Sequence, residues 1–157
     1  MRKIRVICIG KNQEAYIREG IAIYEKKLKR YCSFTWEFVK EANYGKGKVR
    51  QWMQEEQKRI DKIINPNAFT IACYDKGKAF SSKALAEKFK TIANQGKSDI
   101  DFLIGGPFGL PEETLHRTHM MLSLSAMTFT HQMVRLILVE QIYRAFTIIR
   151  NENYHHE

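Results

Sequence analysis

Short apolar runs and segments of helical spacing alternate along the whole chain, and this alternation limits its possible folds more than any other feature. Residues 4–9 form a β-rich run ending at Gly10, and 13–31 bring Ile17, Ile21, Tyr24, Leu28 and Tyr31 onto one helical face. Residues 34–39 alternate like a strand, 42–49 form a Gly/Lys-rich loop, and 49–64 return to helix until Asn65-Pro66-Asn67 stops it. A second strand is expected over 69–74, followed by a turn at Asp75-Lys76-Gly77-Lys78. Ser81 or Ser82 can cap the helix carrying Leu85, Phe89 and Ile92, and Gly96 closes it. Residues 100–104 read as strand, 111–118 as a short helix, 120–125 as strand, and 131–149 as the longest helix, with Thr130 placed to cap it. Within that helix Glu140 precedes Arg144 in the favourable i,i+4 order.

Strands alternating with helices predict an α/β fold with a mostly parallel sheet flanked by helices, in one domain over 1–157. Such sheets bind ligands beyond the carboxyl ends of their strands. Three strand ends stand out: 73–77, 105–110 and 123–130. Charge divides the chain differently. Residues 1–67 carry 16 of the 26 Lys+Arg against 8 of the 17 Asp+Glu, leaving 10 against 9 for the remainder. With a net charge of +9 overall, this predicts a basic surface suited to a polyanion beside a near-neutral ligand pocket. Lys26, Lys29 and Arg30 also fit the solvated face of a helix.

Cys8, Cys32 and Cys73 are odd in number and far apart, with no C-x-x-C, so they do not make a disulfide framework. Residues 131–149 are the most apolar stretch but contain His131, Arg135, Glu140, Gln141 and Arg144, a load no membrane span tolerates. The expectation is a soluble cytoplasmic protein. His116-x-x-His119 and His155-His156 lack any Cys, Asp or Glu at ligand spacing, so no metal is expected.

Gly105-Gly106-Pro107-Phe108-Gly109 lies where a glycine loop lets backbone approach a ligand. Pro107 and the missing third glycine exclude the dinucleotide-binding G-x-G-x-x-G, and a tight strand-to-helix turn would use the same residues. The uncharged stretch 124–130 then delivers His131 into the first turn of the long helix. There the helix dipole biases imidazole toward its neutral form, suiting an acceptor or weak base, although an isolated histidine more often only satisfies local hydrogen bonds. No G-x-S-x-G is present, and Ser123 and Ser125 lack a triad context. Tyr154, between Asn153 and His155, offers a ring for stacking on a base, at a place where chains commonly fray.

Taken in order, Ile104-Gly105-Gly106-Pro107-x-Gly109-Leu110, Leu122-Ser123-Leu124-Ser125-x-Met127-Thr128, His131-x-x-Val134-Arg135, Glu140-Gln141-x-Tyr143-Arg144-Ala145 and Tyr154-His155 resemble one family closely. It is the ribosomal RNA large-subunit methyltransferase H family of the SPOUT class, and the resemblance runs from the opening strand to the tail. The resemblance implies S-adenosyl-L-methionine held in a C-terminal deep trefoil knot, a homodimer, and N3-methylation of a pseudouridine in large-subunit rRNA, pseudouridine 1915, on assembled ribosomes. It places cofactor contacts on Cys73, Gly105, Leu124, Ser125, Ala126, Met127, Thr128 and Phe129. Tyr143 and Arg144 fall on the helix that the family uses between protomers, and Tyr154 matches a tail tyrosine near the target base. The chain departs from the common pattern in having Thr130 for Pro, Cys73 for Leu, and His156 where some members carry Arg or Lys.

On that reading the enzyme supplies proximity and orientation for two bound reactants, and His131, Tyr154 and His156 are the candidates for taking the N3 proton. Arg135 and Arg144 could hold phosphate or partner groups, while Lys46, Lys48 and Arg50 would grip RNA backbone. The rival reading is a non-catalytic basic RNA- or ribosome-binding factor in which the glycine loop is only a turn.

Overall fold

The structure, a computed structural model, describes residues 2–156. Five strands, β1 (Lys3–Ile9), β2 (Ser33–Val39), β3 (Phe69–Ala79), β4 (Ile100–Ile104) and β5 (Met120–Ser123), form one sheet in the order β2-β1-β4-β3-β5. Every pairing in it is parallel. The five helices are α1 (Ala15–Leu28), α2 (Val49–Asp61), α3 (Ser82–Asn94), α4 (Glu112–Arg117) and α5 (His131–Ile149).

Because strand residues alternate faces, β1 sends Ile4, Val6 and Cys8 one way and Ile7 and Ile9 the other, and all five are buried. The first face packs against Leu28 of α1, Phe89 of α3 and Leu138, Ile142 and Phe146 of α5. The second packs against Ile60 of α2 and Leu115 of α4. The result is a three-layer α/β/α arrangement with α5 lying between α1 and α3. At Gly20, a Cβ would stand 2.9 Å from Leu136 Cδ1, so glycine lets α1 and α5 approach closely. None of the helices is long and apolar enough to cross a membrane, among the described residues.

The expected boundaries hold closely. Ser81 Oγ, not Ser82, caps α3 by accepting Ala84 N–H at 3.1 Å, and Thr130 Oγ1 caps α5 by accepting Met133 N–H at 3.2 Å. One expectation needs correction. Residues 75–78 do not end β3; the strand bulges, and both Cys73 and Lys78 pair with Leu122. Gly77 is required there because a Cβ would lie 2.7 Å from the Met121 carbonyl carbon and oxygen. The glycine that looks like a turn signal instead marks a close approach of two neighbouring strand backbones.

The thiols of Cys8 and Cys32 are pushed up to about 12 by burial, against an ordinary 9.0, and burial also raises that of Cys73. The native state therefore prefers the protonated thiols. Their contribution is fully present below pH 9.0 and is lost as pH rises through about 12. Native protein at neutral pH should alkylate slowly at all three positions and completely once unfolded, measured by mass spectrometry. A single fast-reacting native thiol would contradict this.

Candidate active site

Parallel strands end on one side of the sheet, and here the three segments noted in the sequence, now the β3 bulge and the loops after β4 and β5, converge on one cavity of about 620 Å³. Its walls include Cys73 and Asp75 from the β3 bulge, Gly105 and Phe108 from the loop after β4, Leu124, Ser125, Met127, Thr128 and Phe129 after β5, and His131 and Val134 of α5. Of the residues expected to meet the cofactor, only Ala126 falls outside this lining; it is exposed in the same loop.

The glycine loop owes its shape to sterics. Gly109 turns through φ +78° and donates its N–H to Gly106 O at 3.0 Å, folding residues 105–109 back on themselves. A Cβ on Gly105 would stand 2.3 Å from the Gly109 carbonyl carbon. The loop after β5 is tied internally: Ser123 Oγ–H donates to Ser125 O at 3.0 Å, and Ser125 Oγ accepts Met127 N–H at 2.9 Å. These bonds leave Met127, 74% exposed, at the cavity mouth.

His131 opens α5 on the cavity wall. Burial, then the nearby Arg135 charge, lower its pKa from the usual imidazole value, with Glu41 opposing, so it is neutral at neutral pH and can accept a proton. Arg135 corrects the expectation that it meets phosphate. It is fully buried; Nη2 donates to Ile9 O at 2.7 Å, and Nη1 to Gly10 O at 2.9 Å and Asn12 Oδ1 at 3.0 Å. Gln132 Nε2 donates to Lys11 O at 3.1 Å and its Oε1 accepts Gln13 N–H at 3.0 Å. The first turns of α5 thus clamp the chain leaving β1.

The tail forms a separate cluster. Tyr154 O–H donates to Glu140 Oε1 at 3.1 Å, and Arg144 Nη2 reaches the same oxygen at 2.6 Å. The tyrosine ring packs edge-on to Tyr143 at 4.7 Å between centroids, with the Arg144 guanidinium 4.7 Å from its centre. These contacts dock the tail instead of letting it fray. Burial, hydrogen bonding with Tyr24 and the Glu140 charge together hold the Tyr154 phenol protonated, well above its ordinary pKa. Tyr154 and His156 line a different recess with Ser82, Gln141, Arg144 and His155. From His131 to Glu140 and Arg144 along α5 is about 14–20 Å at about 1.5 Å per residue, so one chain does not bring its tail to its own cavity.

Asp75, Tyr74 and Phe108 line the cavity without having been singled out in the sequence. Their one signal was position: Tyr74 and Asp75 fall in the segment 73–77, which the structure makes the β3 bulge, and Phe108 in the loop after β4. Of the histidine pairs, His119 is engaged locally: its Nδ1 accepts Thr70 N–H at 3.0 Å and its ring stacks on Phe69. Among the described residues no three His, Cys, Asp or Glu side chains form a metal-holding group.

This parallel sheet, with its glycine loop, β5 loop and α5 start closing around one cavity, is the fold of a SPOUT-class methyltransferase by its matches: the family model described as "Predicted SPOUT methyltransferase" matches residues 2–155. The solved structure of a probable methylase family protein from Haemophilus influenzae Rd KW20 shares the fold at a TM-score of 0.55 and 13% identity, covering 98% of this chain and 70% of that one. A second, from work on 2-OH methylation of C/U34 on tRNA, gives 0.52 at 12% identity, covering 96% and 99%. Two curated relatives named ribosomal RNA large subunit methyltransferase H are closer in sequence. That of Syntrophotalea carbinolica is 40% identical over 153 residues, 98% of either chain, and that of Desulforamulus reducens is 41% identical over 159 residues, 99% of either. The chain belongs to the ribosomal RNA large subunit methyltransferase H family.

Proposed function

We propose that this protein transfers the methyl group of S-adenosyl-L-methionine to N3 of a pseudouridine in large-subunit ribosomal RNA, pseudouridine 1915 by family resemblance, acting on assembled ribosomes in the cytoplasm. The observation that carries the reading is the convergence of the β3 bulge and the loops after β4 and β5 on one cavity. Gly105 lets backbone come close to a ligand, the apolar residues Leu124, Met127 and Phe129 suit an adenosyl group, and Asp75 is a carboxylate in the lining suited to a cation. The reading takes residues 1–157 as one domain, with the region after β4 threaded as a trefoil knot by family resemblance.

When bound, S-adenosyl-L-methionine supplies an electrophilic sulfonium methyl: the N3–CH3 bond forms, the S–CH3 bond breaks, and S-adenosylhomocysteine leaves. The chain's residues hold the two reactants in line, the largest contribution open to a two-substrate reaction. The N3 proton must also depart. Tyr154 starts as a protonated donor to Glu140 and so serves to position the base, whereas neutral His131 on the cavity wall can accept the proton. His156, exposed beside Tyr154, faces the RNA side.

The tail's distance from the cavity calls for a second copy whose Tyr154 and His156 complete the site. The partly exposed apolar residues Met133 and Ile137 on α5 favour such a homodimer. Tyr154→Ala should abolish methylation and leave S-adenosyl-L-methionine affinity nearly intact, as read by calorimetry and methyl transfer; equal loss of both would place Tyr154 on the cofactor side.

Labelled methyl transfer to ribosomes lacking the modification, alongside isolated subunits and free rRNA, tests the whole reading. Transfer to one particle form, mapped to a single pseudouridine, is expected. Failure to bind S-adenosyl-L-methionine would leave a non-catalytic RNA- or ribosome-binding factor.

A further inference from the structure

The loop between β2 and α2 is tied to the cavity. Tyr44 is 45% exposed, Gly45 and Gly47 turn through positive φ, and Lys46, Lys48 and Arg50 are exposed. Behind the loop stands Trp52. Its indole N–H donates to Glu56 Oε1 at 2.9 Å, and the same oxygen accepts Ala42 N–H at 3.3 Å. One buried carboxylate therefore fixes both the tryptophan and the start of the loop. Arg59 Nη1 adds a bond to Lys40 O at 2.8 Å. Trp52 also meets Phe108 edge-to-face, 5.1 Å between centroids at 75°. Phe108 is 48% exposed on the cavity rim. A continuous set of contacts thus runs from Ala42 through Glu56 and Trp52 to the cavity mouth.

Exposed rings beside exposed cations are how proteins hold single-stranded nucleic acid, because every base has a face to stack and every linkage a phosphate to neutralise. We propose that loop 42–50 and Phe108 form one contact surface for single-stranded RNA flanking the nucleotide in the cavity. Tyr44 and Phe108 take base faces, Lys46, Lys48 and Arg50 take phosphates, and Trp52 is the positioning residue that holds the two parts in register. This rests on the RNA reading above and adds where the strand lies. An acidic protein partner could pair with the same lysines but would leave the rim rings unused.

The test measures binding of a short fluorescent single-stranded RNA across a salt series, with S-adenosylhomocysteine binding by calorimetry as a parallel readout. Replacing both Lys46 and Lys48 by Gln should lower the slope of log affinity against log salt by about 1.4, at about 0.7 per phosphate released. Lys83→Gln combined with Lys90→Gln, on α3 across the sheet, should leave the slope unchanged. Trp52→Leu should weaken RNA binding about tenfold, the scale of one lost stacking contact, with S-adenosylhomocysteine affinity unchanged, and Trp52→Phe should recover most of it. Equal slope changes in the two lysine pairs, or parallel loss of RNA and S-adenosylhomocysteine in Trp52→Leu, would overturn the inference while RNA binding by the unmodified protein stands. If the unmodified protein binds S-adenosylhomocysteine but no single-stranded RNA at any salt, this inference falls, while methyl transfer to ribosomes decides the RNA reading separately.

Discussion

Replacing Arg135 with Leu is expected to destabilise the protein by about 2–4 kcal/mol, a large share of the roughly 5–15 kcal/mol typical of a domain. The guanidinium is fully buried, no carboxylate is hydrogen-bonded to it among the described residues, and its Nε has no hydrogen-bond partner. Burial lowers its pKa, yet a guanidinium remains charged at any physiological pH. The charge is held by the carbonyls of Ile9 and Gly10 and the amide oxygen of Asn12, which converge where β1 ends. Leucine would leave those three acceptors without their donor at about 1–3 kcal/mol each, while removing a buried charge offsets part of the loss. Arg135→Lys should recover only a fraction, because an ammonium cannot fork to three acceptors in that plane. Since His131 and Val134 stand on the same first turns of α5, cofactor affinity should fall along with stability. Urea unfolding measures the first and calorimetry the second. A change within about 0.5 kcal/mol would mean that the carbonyls are satisfied by solvent and that the clamp is incidental.

Arg135 also shows where sequence reading stops. The sequence reading offered it to phosphate or partner groups, because helical spacing reveals neighbours on α5 but not which carbonyls at the end of β1 point toward them. The same limit applies to Tyr154, whose position near the chain end suggests fraying. Its partners are Tyr143, Glu140 and Arg144, ten or more residues away, and only packing reveals them. Elements with local causes were legible. The bounds of α5 follow from the Thr130 cap and its apolar run, and Ser81 ahead of Leu85 and Phe89 marks the start of α3. The cavity was legible for a topological reason, since strands joined by helices in one parallel sheet deliver all their carboxyl-end loops to one side. Gly77 was misread because a glycine forced by close approach of a neighbouring strand and a glycine forced by a turn look alike in one dimension.

Gly105→Ala should remove most cofactor binding and leave a folded sheet. The added Cβ would meet the Gly109 carbonyl carbon at 2.3 Å, the carbonyl oxygen at 2.6 Å and Leu110 N at 2.6 Å. All three are backbone atoms, so no side-chain rotation relieves the contact, and the loop must open. Overpacking typically costs about 1–3 kcal/mol, and a backbone partner places this site at the upper end. The displaced residues, Gly106, Pro107, Phe108 and Gly109, line the cavity, so the same energy appears as roughly a tenfold to hundredfold loss in affinity for S-adenosyl-L-methionine. Gly106→Ala provides the comparison. Its Cβ would meet only the Ile9 side chain, 3.1 Å from Cγ2, which can yield by a small shift, so the loss should be several times smaller. Calorimetry on both variants, with circular dichroism to confirm the fold, separates the two cases. Equal and small losses would show that the ligand does not depend on the folded-back loop, and the cavity would lose its standing as the cofactor site.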